Sequence, residues 1–133
     1  MQDLELHHIG VATNNIEREF NILKKIGYQK ISDIFCDKAQ GIKGLFISAP
    51  HQPVLELLEN TENSSTLDLY INKGIKFYHF AYKTCDIESD SKRIVDENKA
   101  IIIKPIMNAT FFRRVCFLML RNMMLIELVE EKE

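Results

Sequence analysis

Leu55-Glu56-Leu57-Leu58-Glu59 and Ile126-Glu127-Leu128-Val129-Glu130 are the same pattern written twice, 71 residues apart. The offset holds well outside these runs. His8 falls on His79, Thr13 on Thr84, Ile16 on Ile87 and Phe46 on Phe117. The interval from His8 to Glu56 equals that from His79 to Glu127, so no insertion separates the copies. A duplicated unit folds twice in the same way and brings equivalent residues into related positions. The expected result is pseudo-twofold symmetry, with His8, Glu56, His79 and Glu127 meeting at the axis.

The pattern inside each copy reads as βαβββ. In the first, Leu4 to Ala12 alternates as a strand. Asn14, with Glu17 three residues later, reads as a capping box for a helix. Ile16, Phe20, Leu23 and Ile26 form its apolar stripe, and Gly27 stops it. Tyr28 to Phe35, Ile42 to Ser48 and Val54 to Leu58 read as strands, with breaks at Gly41, Gly44 and 50–53. In the second, Phe77 to Thr84 is a strand and Ile87 to Asn98 a helix with Asp86 near its start. Ile101 to Pro105, Arg114 to Leu120 and Leu125 to Glu130 are strands. The connector from Asn60 to Gly74 is polar at first, then holds Leu67, Leu69 and Ile71 in a short helix. The expectation is α+β: one domain over 1–133, built from two βαβββ modules at about 1–60 and 75–133.

Strand parity sharpens the site. His8 shares its face with Gly10 and Ala12, and His79 with Ala81, while Ile9, Val11, Phe80 and Tyr82 point the other way. Imidazoles beside such small residues leave space on that face. Glu56 and Glu127 each interrupt an apolar strand, where a carboxylate is costly unless it meets a partner. Two imidazoles and two carboxylates suit Zn, Ni, Co, Mn or Fe and leave one or two positions for water or substrate. Other polar residues read more plainly. His7 is an ordinary strand residue, and Glu59 and Glu130 are solvated. Arg113 and Arg114 either clamp an anion or begin a strand. Ser48, Asn108 and Arg113 are candidates for polar lining. Cys116 and the methionines at 119, 123 and 124 read as packing.

Composition bounds the rest. The 133 residues are 46% apolar and 27% charged, an ordinary globular balance. A net charge of −2 gives no electrostatic footprint for nucleic acid. No apolar stretch has the length of a membrane span. Cys36, Cys85 and Cys116 are an odd count without CxxC spacing, which suits free thiols in a cytoplasmic setting. No signal peptide is read at the N-terminus.

The runs Leu6-His7-His8-Ile9-Gly10-Val11-Ala12, Tyr78-His79-Phe80 and the two glutamate-bearing strands resemble the vicinal oxygen chelate superfamily. That group includes glyoxalase I, methylmalonyl-CoA epimerases, extradiol dioxygenases and bleomycin-resistance proteins. The resemblance covers nearly the whole chain and implies that the two modules pair into a curved mixed sheet around a metal cup. It implies His8, Glu56, His79 and Glu127 as metal ligands. It also implies a metal-dependent lyase or isomerase of glyoxalase I (lactoylglutathione lyase) type. In such an enzyme Glu127 and Glu56 move a proton next to a carbonyl and the metal stabilises the enediolate. The implied substrate is a small thioester or hemithioacetal, and a homodimer is expected. The alternatives are a methylmalonyl-CoA epimerase-like enzyme or a metal-free small-molecule or antibiotic-binding protein. The epimerases carry a carboxylate base just before the third strand. Here that segment reads Asp37-Lys38-Ala39-Gln40-Gly41, with Ala39 at the aligned position.

Overall fold

The computed structural model describes residues 3–133. They hold nine strands and three helices: β1 (Glu5–Ala12), α1 (Ile16–Lys24), β2 (Gln29–Lys30), β3 (Phe35–Asp37), β4 (Ile42–Ser48), β5 (Leu55–Asn60), α2 (Asp68–Asn72), β6 (Phe77–Lys83), α3 (Ile87–Asn98), β7 (Ile101–Asn108), β8 (Arg114–Met119) and β9 (Leu125–Glu130). Strand pairing is mixed and the class is α+β. The chain divides into two compact units, one of residues 8–78 and one of residues 3–7 with 79–133.

In the first unit β1 runs parallel to β5, β4 is antiparallel to β5, and β2 and β3 both pair with β4. Helix α1 covers one face. Ile16 and Phe20 pack there with Val11, Leu45, Ile47, Leu55 and Leu57. Burying each such side chain contributes roughly 1.5–3 kcal/mol. Alternation sends Ala12, Ile42 and Leu58 to the other face, where Leu67 closes a second cluster. The connector therefore does more than join the copies, because its Leu67 is fully buried.

In the second unit β6 runs parallel to β9, and β8 pairs antiparallel with β9 and β7. Helix α3 sets Ile87 and Ile94 against Cys116, Leu118, Ile126 and Leu128. The duplication survives as register. Gly10 opposes Glu56 as Ala81 opposes Glu127, and Phe46 opposes Glu56 as Phe117 opposes Glu127. The amide of Thr13 donates to Leu58 O, and that of Thr84 to Val129 O.

Several local expectations give way. The cap of α1 is Asn15, not Asn14. It takes an extended conformation and accepts from the Arg18 amide. Its repeat partner Asp86 caps α3 by accepting from the Ser89 amide. Ile26 is 61% exposed and leaves the apolar stripe, because α1 ends at Lys24. The strand read over Tyr28 to Phe35 is two short strands. Between them Ser32 Oγ accepts from the Phe46 amide, so a side chain replaces a ladder bond. β7 continues past Pro105 to Asn108. Proline is tolerated there because β7 pairs on one side only among the described residues, with β8. Met123 and Met124 are exposed rather than packed. No helix among the described residues is long and apolar enough to cross a membrane.

Candidate metal centre

Each unit carries one buried His–Glu pair, built identically. In the first, His8 lies on β1 and Glu56 on the adjacent parallel strand β5, with Nε2 3.0 Å from Oε1. In the second, His79 lies on β6 and Glu127 on the adjacent parallel strand β9, again with Nε2 3.0 Å from Oε1. All four residues are buried, His8 completely. Burial follows from the pleat, since each glutamate lies on the face opposite the helix-packed residues that flank it, Leu55 and Leu57 for Glu56 and Ile126 and Leu128 for Glu127. Gly10 and Ala81, directly across from the glutamates, are small enough to leave both carboxylates room.

An aromatic wall supports each imidazole. Phe46 stands edge-on to His8, with ring centroids 5.0 Å apart and planes at 82°. Phe117 does the same to His79 at 5.3 Å and 88°. Phe35 stacks on Phe46 at 5.7 Å, and its ring lies across Gly44, where any β-carbon would collide with it. That is why glycine stands inside β4 rather than at a strand break. Such walls lower the local dielectric and strengthen electrostatic interactions beside them.

The donor chemistry fits a divalent transition metal. A separation of 3.0 Å suits a hydrogen bond. It suits equally two donors side by side on one ion, since bonds of about 2.1 Å at a right angle leave their ends roughly 3 Å apart. Each pair, His8 with Glu56 and His79 with Glu127, offers a buried imidazole and a buried carboxylate as donors to such an ion.

The remaining polar residues settle differently from their sequence reading. Glu130 is buried, not solvated. Arg114 donates to it through Nε at 2.6 Å and a terminal nitrogen at 3.0 Å, and Arg113 stands 3.4 Å from the same carboxylate. Glu59 is half-buried and accepts from the Ile16 amide, tying β5 to the start of α1. Arg114 also reaches Glu88, whose carboxyl its hydrogen bond and charge hold below the usual range. Arg114 is thus engaged in an ion network in its own unit, which favours the structural reading of that residue. His7 packs edge-on to Phe112 and lies 3.8 Å from Glu131. Cys116 is buried as expected, and burial, aided by the nearby Glu127 charge, pushes its thiol up to about 11.

Asp37, two positions before Ala39, is a buried carboxylate. It closes the β3–β4 turn by accepting from both the backbone and side-chain amides of Gln40. Ala39 lies exposed in that turn. Lys104 stands opposite Phe117 across β7 and β8, and its Nζ lies 5.5 Å from the centroid of that ring.

No curated protein matches this sequence. Solved structures similar to it include a hypothetical protein from Bacillus halodurans, with TM-score 0.83, 24% identity, and coverage of 99% of this chain and 97% of that one. The methylmalonyl-CoA epimerase of Mycobacterium tuberculosis gives 0.80 at 18% identity, covering 97% and 89%. A Streptomyces coelicolor methylmalonyl-CoA epimerase variant in complex with 2-nitronate-propionyl-CoA gives 0.80 at 21%, covering 98% and 100%. At these identities the likeness speaks for the fold. A family model covers residues 7–117, most of the chain and three of the four paired residues. The chain belongs to the Glyoxalase/Bleomycin resistance protein/Dioxygenase superfamily.

Proposed function

We propose that the protein is a metal-dependent lyase or isomerase of the glyoxalase I type, acting on a small thioester or hemithioacetal. The observation that carries this reading is the duplicated buried His–Glu pair, with the same 3.0 Å geometry in both units. In this reading His8, Glu56, His79 and Glu127 hold one divalent ion. The ion supplies Lewis-acid stabilisation of charge developing on a substrate oxygen. Glu127 takes the proton from the carbon next to the carbonyl, Glu56 begins protonated and gives its own proton to the enediolate carbon, and proton exchange with solvent resets both carboxyls. Gly10 and Ala81 leave each carboxylate free of crowding from the neighbouring strand, so a carboxylate can turn while its backbone stays in register. Phe46 and Phe117 hold the imidazoles and keep water from that side.

A second reading, an epimerase acting on a CoA thioester, draws on structural neighbours that are methylmalonyl-CoA epimerases, one in complex with methylmalonyl-CoA. It shares the four ligands. Against it, the carboxylate nearest the aligned base position is Asp37, already engaged with Gln40 in a turn.

Elemental analysis of untagged protein purified without chelators tests the metal. The expected result is about one equivalent per chain, lost in His8→Ala and in His79→Ala. Turnover of a methylglyoxal hemithioacetal and of a methylmalonyl thioester by the metal-loaded protein then separates the two readings. Absence of metal after titration with Ni, Zn, Co, Mn and Fe would remove both.

A further inference from the structure

The helix face of the second unit carries a hollow that the first unit fills with a side chain of its own. Tyr28 follows Gly27, a left-handed residue after α1, and is 4% exposed. It packs with Val11, Leu23, Ala49 and Leu55, and its hydroxyl donates to Pro53 O at 3.0 Å. Strand register identifies its counterpart. Gln29 opposes Ser48, Ile101 opposes Met119, and Ser48 and Met119 are repeat partners. The offset at this place is therefore 72 rather than 71, and Tyr28 corresponds to Ala100. Ala100 likewise follows a left-handed residue, Lys99, and is buried in the core beneath α3. Alanine in place of tyrosine omits a phenol ring.

Tyr82, Ile94, Leu120, Met124 and Ile126 are the repeat partners of Val11, Leu23, Ala49, Pro53 and Leu55. These five, the counterparts of every residue named around Tyr28, line a cavity of about 260 Å³. Tyr82 and Leu120 are larger than Val11 and Ala49 and take back part of the ring's space without closing it. The cavity lies within the unit of residues 3–7 and 79–133. Alternation puts Tyr82 and Ile126 on the face opposite Ala81 and Glu127, so it is separate from the candidate metal centre. An apolar cavity of about 150 Å³ already admits a benzene ring. The charges beside it favour a neutral molecule, because Arg93 is paired with Asp90 and Glu97, and Asp3 is of opposite sign. Met124 O accepts from the Leu120 amide at 2.9 Å and keeps a second lone pair.

We propose that this cavity is a binding site for a small neutral phenol. The ring lies against Ile94, Leu120 and Ile126, and the hydroxyl donates to Met124 O as that of Tyr28 does to Pro53 O. The assignment is independent of the metal reading.

Titration with p-cresol, the tyrosine side chain as a free molecule, tests it by NMR on protein isotope-labelled at the methionine methyls. Toluene is the counterpart without a hydroxyl. The Met124 methyl is expected to shift saturably, and p-cresol to bind about fivefold more tightly than toluene, as one neutral hydrogen bond implies. Ala100→Tyr, which restores the first unit's filling, should weaken p-cresol about tenfold or more, and Leu120→Trp, which closes the cavity from another wall, should do the same. The comparison of the two probes on wild type stands whether or not these variants fold. No saturable shift at Met124 overturns the proposal, as does equal or tighter binding of toluene. So does unchanged p-cresol affinity in either folded variant, or a response at Met119, on the other face of the sheet, without one at Met124.

Discussion

The two modules are most alike at their centres and least alike at their edges. The strand pair carrying histidine and glutamate has the same register in both, residue for residue. One strand further out, the antiparallel partners also agree, Phe46 with Phe117. Beyond that the copies part. The first module has two short strands with a serine between them, and the second has one long strand bent at two bulges around Lys104. Lys43 and Arg114 occupy equivalent places opposite Glu59 and Glu130. Only the second pair is drawn into a network, with Glu130 buried beneath Arg114. Sequence drifts where a side chain meets solvent and holds at the buried His–Glu pair of each module. The edges are where one duplicated frame acquires two different linings.

The largest effect that can break this comparison is catalytic. Glu127→Gln and Glu56→Gln should each lower turnover by about 10²–10⁴ fold, the usual contribution of a positioned acid or base. Steady-state kinetics on whichever substrate the screen identifies would measure this. Wild-type rates in either variant would show that the two glutamates are equivalent in structure only.

Arg114→Met should cost about 3 kcal/mol, because it strands the buried Glu130 carboxylate. Its counterpart Lys43→Met should stay within about 0.5 kcal/mol, as an exposed surface change. Urea denaturation of both variants checks the asymmetry, and equal costs would show that the Arg114 network contributes nothing particular. The sign of its pH dependence follows from Glu88. A carboxyl held below its ordinary range contributes stability above that range and loses it as pH falls through the lowered value. Because Glu88 is exposed, salt should screen the effect.

Smaller again are the caps, where the modules should behave alike. Asn15→Ala and Asp86→Ala should each cost about 1 kcal/mol. Thermal melts of the two variants would report it, and a marked difference would mean that one helix start is held by other contacts. Least disturbing to the fold is thiol labelling. Cys36 and Cys85 are exposed and should react with a maleimide at neutral pH. Cys116, buried and with its thiol pushed up to about 11, should react only when the protein unfolds. Mass spectrometry should show two adducts on native protein and three in denaturant.

The 71-residue offset, the βαβββ order and, within each module, the strand face shared by its histidine and glutamate were legible in the chain. Each is a local matter: repetition is visible by inspection, and pleat parity follows from a period of two. The bounds of β4, α3 and β9 came out as read. The tertiary structure decided what depends on a neighbour far along the chain. Glu130 looked solvated because its own strand ends beside it, yet Arg114, 16 residues away, buries it. The break at Ser32 needed the Phe46 amide, and the place of Lys104 needed the bulged register of β7 on β8. A sequence states which face of its own strand a residue occupies. Which partner stands across the gap is set by strand pairing, whose register depends on bulges and turns that composition does not specify.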